Sequence, residues 1–316
     1  MTAALRPRQP AAGAAPSSSR PRGGARGGVL GGVPMLVWVF LAVPLAVELF
    51  WVFWPALNSF SLSFTSWKGV GPAQPVGLAN YERLFSDPVF MTALRNNVIW
   101  VIGFGGLSVV GGLALAVALN RPGRGISFYR SAIYLPMVVS LAVTGLFWRV
   151  MYQPDGPIDA GLGVLGLDAW SRQWLADPDT ALYAVLIAAV WRQVGYIMVL
   201  YLAGLKGVDP SLEEAAAVDG ANAWQRFWRV VMPQLRGVNT VIFAVTVIDS
   251  LRTFDIVWAM TRGGPYNMTQ LLSTYMFQQG FTLVNLGYGS AIAVVIFVLA
   301  VAFIITYLVR QSREDL

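Results

Sequence analysis

Long apolar runs separated by short polar segments dominate the hydrophobic pattern of this chain. A helix needs about 20 mostly apolar residues to cross a membrane, whereas ordinary strands stop near 10 residues. Six runs are long enough, so the pattern predicts an all-α membrane protein with six transmembrane helices. The predicted spans are residues 33–56, about 97–119, 131–151, 181–204, 238–260 and 286–309.

The segment from Ser211 to Pro233, between the fourth and fifth apolar runs, has the pattern of a helix-turn-helix. Two pairs of residues are able to cap its first helix: Asp209 with Pro210, or Ser211 with Glu214 as a capping box. Gly220 favours a stop there, because a residue without Cβ enters the left-handed conformation at little cost. The sequence therefore predicts a short first helix that ends near Gly220.

The second helix of this segment has its own signals. Asn222 followed three residues later by Gln225 is a start signal, and Pro233 is expected to end the helix. Between them, apolar side chains recur at intervals of three and four residues, which is typical of one helix face. The members of this predicted face are Trp224, Phe227, Trp228 and Val231.

Composition supports a membrane protein and excludes several classes of chemistry. The 316 residues are 56% hydrophobic and 12% charged, whereas soluble domains carry about 25% charged residues. Cysteine and histidine are both absent, which excludes disulfides, thiolate metal sites and a Ser-His-Asp triad. We therefore expect no catalytic residue and no metal site. The net charge of +6 comes from basic residues that flank the predicted spans, so membrane lipid is the expected partner rather than nucleic acid.

The distribution of arginine and lysine predicts the orientation. Residues 1–32 contain five arginines and no acid, and are read as a disordered basic cytoplasmic tail. The apolar run that follows is too long for a cleaved signal peptide, so we expect it to remain as the first span. Segments 120–130, 205–237 and 310–316 also carry arginine or lysine, whereas 152–180 is acidic and poorer in these residues. Both termini and the helix-turn-helix are therefore expected to be cytoplasmic in a bacterial-type plasma membrane.

The helix-turn-helix also carries a motif. Its residues are Glu214, Ala215 and Ala216, then Asp219 and Gly220, and finally Val230, Met232 and Pro233. Their order and spacing resemble the E-A-A-x(3)-G-x(9)-I-x-L-P cytoplasmic loop of permease subunits in binding-protein-dependent ABC importers. Valine replaces isoleucine and methionine replaces leucine, and both changes keep an apolar side chain of similar size.

Connecting segments extend the resemblance over nearly all of residues 33–309. Residues 77–81, 260–265 and 287–291 are similar to loops of the carbohydrate and glycerol-phosphate type of these permeases. The resemblance implies a type I ABC importer permease fold over 33–316, with an ATPase-coupling loop at about 205–237. It implies transport of a sugar or sugar-like solute, with a glycerol-phosphate-type solute as the alternative.

The same resemblance implies the partners. They are a second homologous permease subunit, two ATPase subunits and an extracytoplasmic solute-binding protein. The chain contains no Gly-x(4)-Gly-Lys-Ser/Thr phosphate loop, so ATP and magnesium are expected on the ATPase and no cofactor on this chain. An ion-coupled secondary transporter and a membrane enzyme are weaker readings, since neither internal repeats nor a cluster of acids, His or Cys is found.

Ionisable residues inside spans are costly and usually face a cavity or another helix. In the fourth span, Trp191, Arg192 and Gln193 lie near mid-depth. They are candidates for the substrate path, because arginine and glutamine bind sugar hydroxyls and an aromatic ring packs on C–H faces. The alternative is that Arg192 faces the partner subunit and Trp191 is packing.

The fifth span contains a stripe of three charged residues, Asp249, Arg252 and Asp255. They either line the substrate path or form an ion-paired link between helices, in which the forked guanidinium of Arg252 pairs with both carboxylates. Glu48 stands alone in the first span, where it is protonated or paired across an interface. The sequence does not decide between these possibilities.

Overall fold

The computed structural model describes residues 35–314, and the tail predicted for residues 1–32 lies outside them. Every named element of the described part is helical, and the one β-type pairing is an isolated bridge between Thr65 and Pro75. The all-α prediction is confirmed. The α-helices are α1 (Met35–Glu48), α2 (Trp54–Leu62), α3 (Ala79–Ser86), α4 (Pro88–Leu119), α5 (Ile126–Val138), α6 (Leu141–Met151), α7 (Pro157–Val164), α8 (Ala181–Leu205), α9 (Pro210–Val218), α10 (Ala223–Arg226), α11 (Met232–Gln234), α12 (Arg236–Arg252), α13 (Asp255–Met260), α14 (Leu272–Phe277) and α15 (Leu286–Glu314).

The chain divides after Trp54 into two compact units. The described part of the first contains α1 and a π-helical turn, Leu49–Phe53. Glu48 is exposed at the last position of α1, directly before this turn. The second unit contains all the other predicted site residues.

By length and composition, four helices are able to cross a membrane, and six spans result if each of two bent helix pairs counts as one. The four are Val37–Leu62, Pro88–Leu119, Ala181–Leu205 and Leu286–Tyr307. The bent pairs are α5 with α6, at 102°, and Ala223–Gln234 with α12, at 74°. The structure thus allows the six predicted spans, of which the third and the fifth belong to bent helix pairs.

The third predicted span breaks in its middle. Val139 is extended, and the Ser140 side chain caps α6 by accepting a hydrogen bond from the Val143 amide at 3.3 Å. Apolar residues continue through the break, so hydrophobicity alone did not reveal it. A serine cap provides the polar partner that a new helix start requires.

The fifth predicted span ends at Arg252 instead of continuing to residue 260. Thr253 and Phe254 are non-helical, and α13 starts at Asp255. The Thr253 hydroxyl donates to the Asp249 carbonyl at 2.7 Å, and the Ser273 hydroxyl donates to the Thr253 carbonyl. Side chains thus satisfy backbone groups that the broken helix leaves free.

Close packing of α4 on α8 forms the centre of the second unit. A Cβ on Gly112 would lie 2.6 Å from the Ile197 side chain, so only glycine permits this approach. One buried cluster ties α4 and α8 to α12 and to the second helix of the helix-turn-helix. Its members are Ala116, Ile197, Met198, Tyr201, Leu202, Val231, Leu235 and Ile242.

Candidate translocation cavity and coupling loop

The first helix of the helix-turn-helix, α9, is capped by Asp209. Its side chain accepts a hydrogen bond from the Ser211 amide at 2.9 Å, and Pro210 occupies the first turn. Of the two predicted caps, Asp209 with Pro210 is therefore the one that forms. The hydrogen bonds from Ser211 hold the pKa of this exposed carboxyl below its usual value.

The turn and the start of the second helix follow the prediction. Gly220 has φ +83°, the left-handed conformation, and an added Cβ would meet nothing within 4 Å. The Asn222 side chain accepts from the Gln225 amide at 2.9 Å, and the Gln225 side chain accepts from the Asn222 amide at 3.0 Å. This reciprocal pair is the expected capping box.

The second helix does not stop at Pro233, contrary to the prediction. It continues through α11 to Gln234, and the chain turns at Leu235. A π-helical turn, Phe227–Val231, precedes Pro233 and widens the hydrogen-bond ladder. A proline, which has no amide hydrogen to donate, is accommodated after such a turn.

The two helices are joined by an ion pair that sequence reasoning missed. Glu213 in α9 lies 3.6 Å from the Arg226 guanidinium in α10, and Glu213 is half-buried. The motif residue beside it, Glu214, is exposed and has no ion pair or hydrogen bond within residues 35–314. Because the two glutamates are adjacent, the sequence did not indicate which of them faces the second helix.

The other motif residues divide between surface and interior. Ala215, Asp219 and Pro233 are exposed. Ala216, Val230 and Met232 are half-buried, and Met232 packs against the buried cluster that contains Val231 and Leu235. The motif thus extends over an exposed first helix and a second helix that packs against α4, α8 and α12.

Five of the six polar-path candidates line one cavity of about 340 Å³. They come from three different helices and are Arg192, Gln193, Asp249, Arg252 and Asp255. Thr253 and Phe254, at the break after α12, also line it. The sixth candidate, Trp191, does not; its ring stacks on Phe147 with centroids 5.9 Å apart, and 41% of the residue is exposed.

Among the described residues, only two of the polar side chains that line the cavity are hydrogen-bonded to each other. The Gln193 amide nitrogen donates to an Asp249 carboxylate oxygen at 3.2 Å. The Arg192 guanidinium donates to the carbonyls of Val139 at 3.1 Å and Met137 at 3.2 Å. Arg192 therefore holds the break between α5 and α6, a role that sequence reasoning missed.

Arg252 does not form the predicted fork. In the described part of the chain, the ion pair that forms joins Glu213 to Arg226, and Arg252 pairs with neither Asp249 nor Asp255. Arg252 also makes no hydrogen bond there, and it lines a second cavity of about 330 Å³ beside Phe277. Its guanidinium is thus available between two cavities.

A polar junction at the other end of α4 was also missed. One Asp87 carboxylate oxygen accepts from the Val89 and Phe90 amides, and the other accepts from the hydroxyls of Tyr275 and Tyr288. Burial acts to raise the pKa of Asp87, but these four hydrogen bonds outweigh it and hold the pKa below its usual value. Asp87 thereby joins the start of α4 to α14 and α15.

Comparisons with known proteins agree with this architecture. Residues 108–314 match the family described as binding-protein-dependent transport system inner membrane component. A probable ABC transporter permease protein of Pyrococcus horikoshii is 35% identical over 285 residues, which cover 90% of this chain and 97% of the relative. The lactose transport system permease protein LacF of Rhizobium radiobacter is 33% identical over 282 residues, covering 87% and 94%.

A solved structure has the same fold. It is the crystal structure of a bacterial ABC transporter involved in the import of the acidic polysaccharide alginate, with a TM-score of 0.75 at 20% identity. The match covers 88% of this chain and 96% of that chain. The chain therefore belongs to the family of inner membrane components of binding-protein-dependent transport systems and is a multi-pass ABC importer permease subunit.

Proposed function

We propose that this permease subunit passes a sugar or sugar-like solute inward across the plasma membrane, driven by ATP hydrolysed with magnesium on a separate subunit. The observation that carries the proposal is the convergence of five polar residues on one cavity. Four of them lie in α8 and α12, helices that count as membrane spans or parts of them, and Met137 and Leu141 of the bent third span line the same cavity. Polar side chains at such a place are the expected lining of a solute path.

The chemistry of the cavity favours a neutral sugar over a glycerol-phosphate-type solute. Two carboxylates, Asp249 and Asp255, face it together with two guanidiniums, and the Arg192 guanidinium already donates to backbone carbonyls. The charges of the two acids cancel those of the two guanidiniums, so the cavity offers the negative charge of a phosphate no net attraction. Sugar hydroxyls donate to carboxylates and accept from arginine, while the Phe254 ring offers a surface for C–H groups.

A curated relative supports the same class of solute. LacF, 33% identical over most of both chains, is a lactose transport permease. Similarity at this level extends through the spans that line the cavity, since it covers 87% of this chain. The specific sugar is carried by the solute-binding protein, which docks on the acidic loop 152–180 and the loop around Gly263.

The helix-turn-helix, within 205–237, serves as the coupling loop on the cytoplasmic side. The exposed face of α9, with Leu212, Ala215 and Val218, docks on an ATPase subunit, and exposed Glu214 reaches a basic group there. Movement of α9 passes through the Gly220 turn to Val231 and Leu235, which pack against α4, α8 and α12. From there it reaches α8 and α12, which carry the cavity residues.

The complete importer contains this chain, a second homologous permease subunit, two ATPase subunits and the solute-binding protein. Residues 1–32 form a basic cytoplasmic tail, and residues 33–316 form the transmembrane domain. Both termini are cytoplasmic.

Uptake of a radiolabelled disaccharide by proteoliposomes that contain the whole importer tests the proposal. Asp249→Asn and Arg252→Ala should lower ATP-dependent uptake about tenfold, because each removes charged hydrogen bonds to the solute. Arg95→Ala, an exposed arginine of α4 outside the cavity, is the control. Unchanged uptake in both cavity variants would remove the cavity from the path, and uptake driven by an ion gradient without the ATPases would favour a secondary transporter.

A further inference from the structure

A groove of about 780 Å³ lies between the last turns of α4 and the second helix of the helix-turn-helix. Val110, Leu113 and Val117 of α4 form one apolar wall, and Trp224 and Trp228 form the other. This groove is separate from the translocation cavity, which lies between α8, α12 and α13. None of the motif residues listed above lines it.

The position of the groove places it in the membrane rather than on a soluble surface. Val110 lies ten residues before Asn120, which follows the end of the α4 span, so the groove reaches about 15 Å along that span. A soluble ATPase cannot reach this depth. Trp224 is 70% exposed and Trp228 is 45% exposed, and neither indole N–H donates a hydrogen bond within the described residues. Such tryptophans favour the headgroup level of a bilayer.

The rim of the groove is basic. Arg121 lines it, is exposed and has no ion pair or hydrogen bond within residues 35–314, and exposed Arg124 lies three residues further on. Glu213 is the acid on the rim, and its charge is matched by Arg226 at 3.6 Å. The groove thus combines apolar walls at acyl-chain depth with an available cation at headgroup depth.

We propose that this groove binds an anionic phospholipid, with an acyl chain along Val110 to Val117 and the phosphate on Arg121. The inference rests on the proposed orientation, which places Arg121 at the cytoplasmic leaflet, where anionic lipids and basic residues attract each other. The lipid contacts the second helix directly behind the Gly220 turn. Anionic lipid therefore supports the helix that transmits movement from the ATPase.

Photolabelling of the assembled importer tests this proposal. The probe is phosphatidylglycerol with a diazirine on the acyl chain, added without ATP to the complex in phosphatidylcholine nanodiscs. Labels should map to residues 110–117 and 224–231. Arg121→Ala should lower this labelling about fivefold, the effect of one basic residue near a membrane surface. Ala114→Trp, which fills the groove from an exposed lining position, should abolish it.

Two matched controls keep the test specific. Arg95→Ala removes an exposed arginine at the other end of α4, and Ala118→Trp adds the same bulk at an exposed position of α4 outside the groove. Both should label like the wild type. Equal labelling by a phosphatidylcholine probe, equal labelling in all variants, or a cross-link from the groove to the second permease subunit would overturn the proposal. Because the labelling needs no ATP hydrolysis, its failure is distinguishable from a failure of coupling.

Discussion

Arg192 and Arg252 face the same cavity but differ in their partners. Arg192 donates to two backbone carbonyls at the break between α5 and α6, whereas Arg252 has no hydrogen bond or ion pair in the described part of the chain. An acceptor that loses a charged donor in the protein interior costs about 1–3 kcal/mol. Arg192 therefore stabilises the fold in addition to lining the cavity, whereas Arg252 is available to bind the solute.

We expect Arg192→Ala to lower the amount of subunit in the membrane together with uptake. Arg252→Ala should leave membrane abundance at the wild-type level and lower uptake, because no hydrogen bond or ion pair within the described residues is lost. Quantitative immunoblots of membranes, measured beside solute uptake, separate the two effects. Equal loss of abundance in both variants would assign Arg252 a structural role instead.

Asp87 gives a pH dependence whose sign follows from its hydrogen bonds. Its pKa in the folded chain lies below the ordinary value of 3.8. A depressed carboxyl pKa stabilises the folded chain fully above the ordinary value, and this contribution is lost as the pH falls through the folded value. Thermal unfolding of the detergent-solubilised subunit should therefore show no contribution from Asp87 to the pH dependence between about pH 5 and pH 7, because this range lies roughly one pH unit or more above 3.8.

Asp87→Asn provides the matched variant, since it keeps the shape but not the charge. It should lower the unfolding temperature at pH 7. The difference in unfolding temperature from the wild type should narrow as the pH falls below the ordinary value of 3.8 and through the lower pKa of the folded chain. Tyr288→Phe, which removes one hydroxyl donor to Asp87, should lower it by a smaller amount. A constant difference between Asp87→Asn and the wild type over the whole pH range would contradict this account.

At the scale of elements, the helix-turn-helix assigns different tasks to two adjacent glutamates. Glu213→Gln removes the ion pair to Arg226 between the two helices. The pair is partly exposed, so we expect a loss of less than about 1 kcal/mol in the stability of the subunit. Glu214→Gln should leave stability unchanged and weaken copurification of the ATPase, because this side chain is exposed and has no partner in the described residues. Thermal unfolding and copurification of the ATPase are measured on both variants. Lower stability in Glu214→Gln, or equal loss of the ATPase in both variants, would contradict this division of roles.

The sequence predicted this element well because its signals are local. The Asp209 cap, the Gly220 turn and the Asn222 capping box each depend on residues within a few positions of one another. The breaks in the third and fifth spans were not predicted. Val139 lies in a segment whose apolar character continues, and Thr253 lies between Arg252 and Asp255, where no proline or glycine signals a break. The groups that satisfy the broken backbone come from Arg192 and Ser273, far along the chain.

At the scale of the whole molecule, the candidate site was predicted in its residues but not in its arrangement. Charged residues inside apolar runs are recognisable from the sequence as site candidates, because a charge in lipid is costly. Their partners depend on how α8 packs against α12 and α5, which no local pattern encodes. Hence the hydrogen bond from Gln193 to Asp249 appeared only in the structure, as did the separation of Trp191 from the cavity.

The orientation of the chain is tested by two single cysteines in this cysteine-free protein. Val218 in α9 and Val164 at the end of α7 are each 88% exposed, so they form a matched pair. In intact cells, an impermeant thiol reagent should label Val164→Cys and spare Val218→Cys. After permeabilisation both should react. Labelling of Val218→Cys in intact cells would place the coupling loop on the wrong side.

The central claim is that the helix-turn-helix transmits movement between an ATPase and the cavity. Gly220 tests it most directly, because a Cβ added there meets nothing within 4 Å and the effect of a substitution comes from the left-handed backbone conformation. Valine in the left-handed region costs about 1–2 kcal/mol, whereas asparagine tolerates it. Gly220→Val should therefore populate the productive turn about five- to thirtyfold less, and Gly220→Asn should behave nearly as the wild type.

The decisive measurement is ATP hydrolysis by the reconstituted importer with and without solute-loaded binding protein. For Gly220→Val we predict an intact, membrane-inserted subunit that has lost either its ATPase or the stimulation of hydrolysis by the loaded binding protein. Gly220→Asn should retain both. Wild-type copurification and wild-type stimulation in Gly220→Val, at normal membrane abundance, would contradict the coupling role of this element.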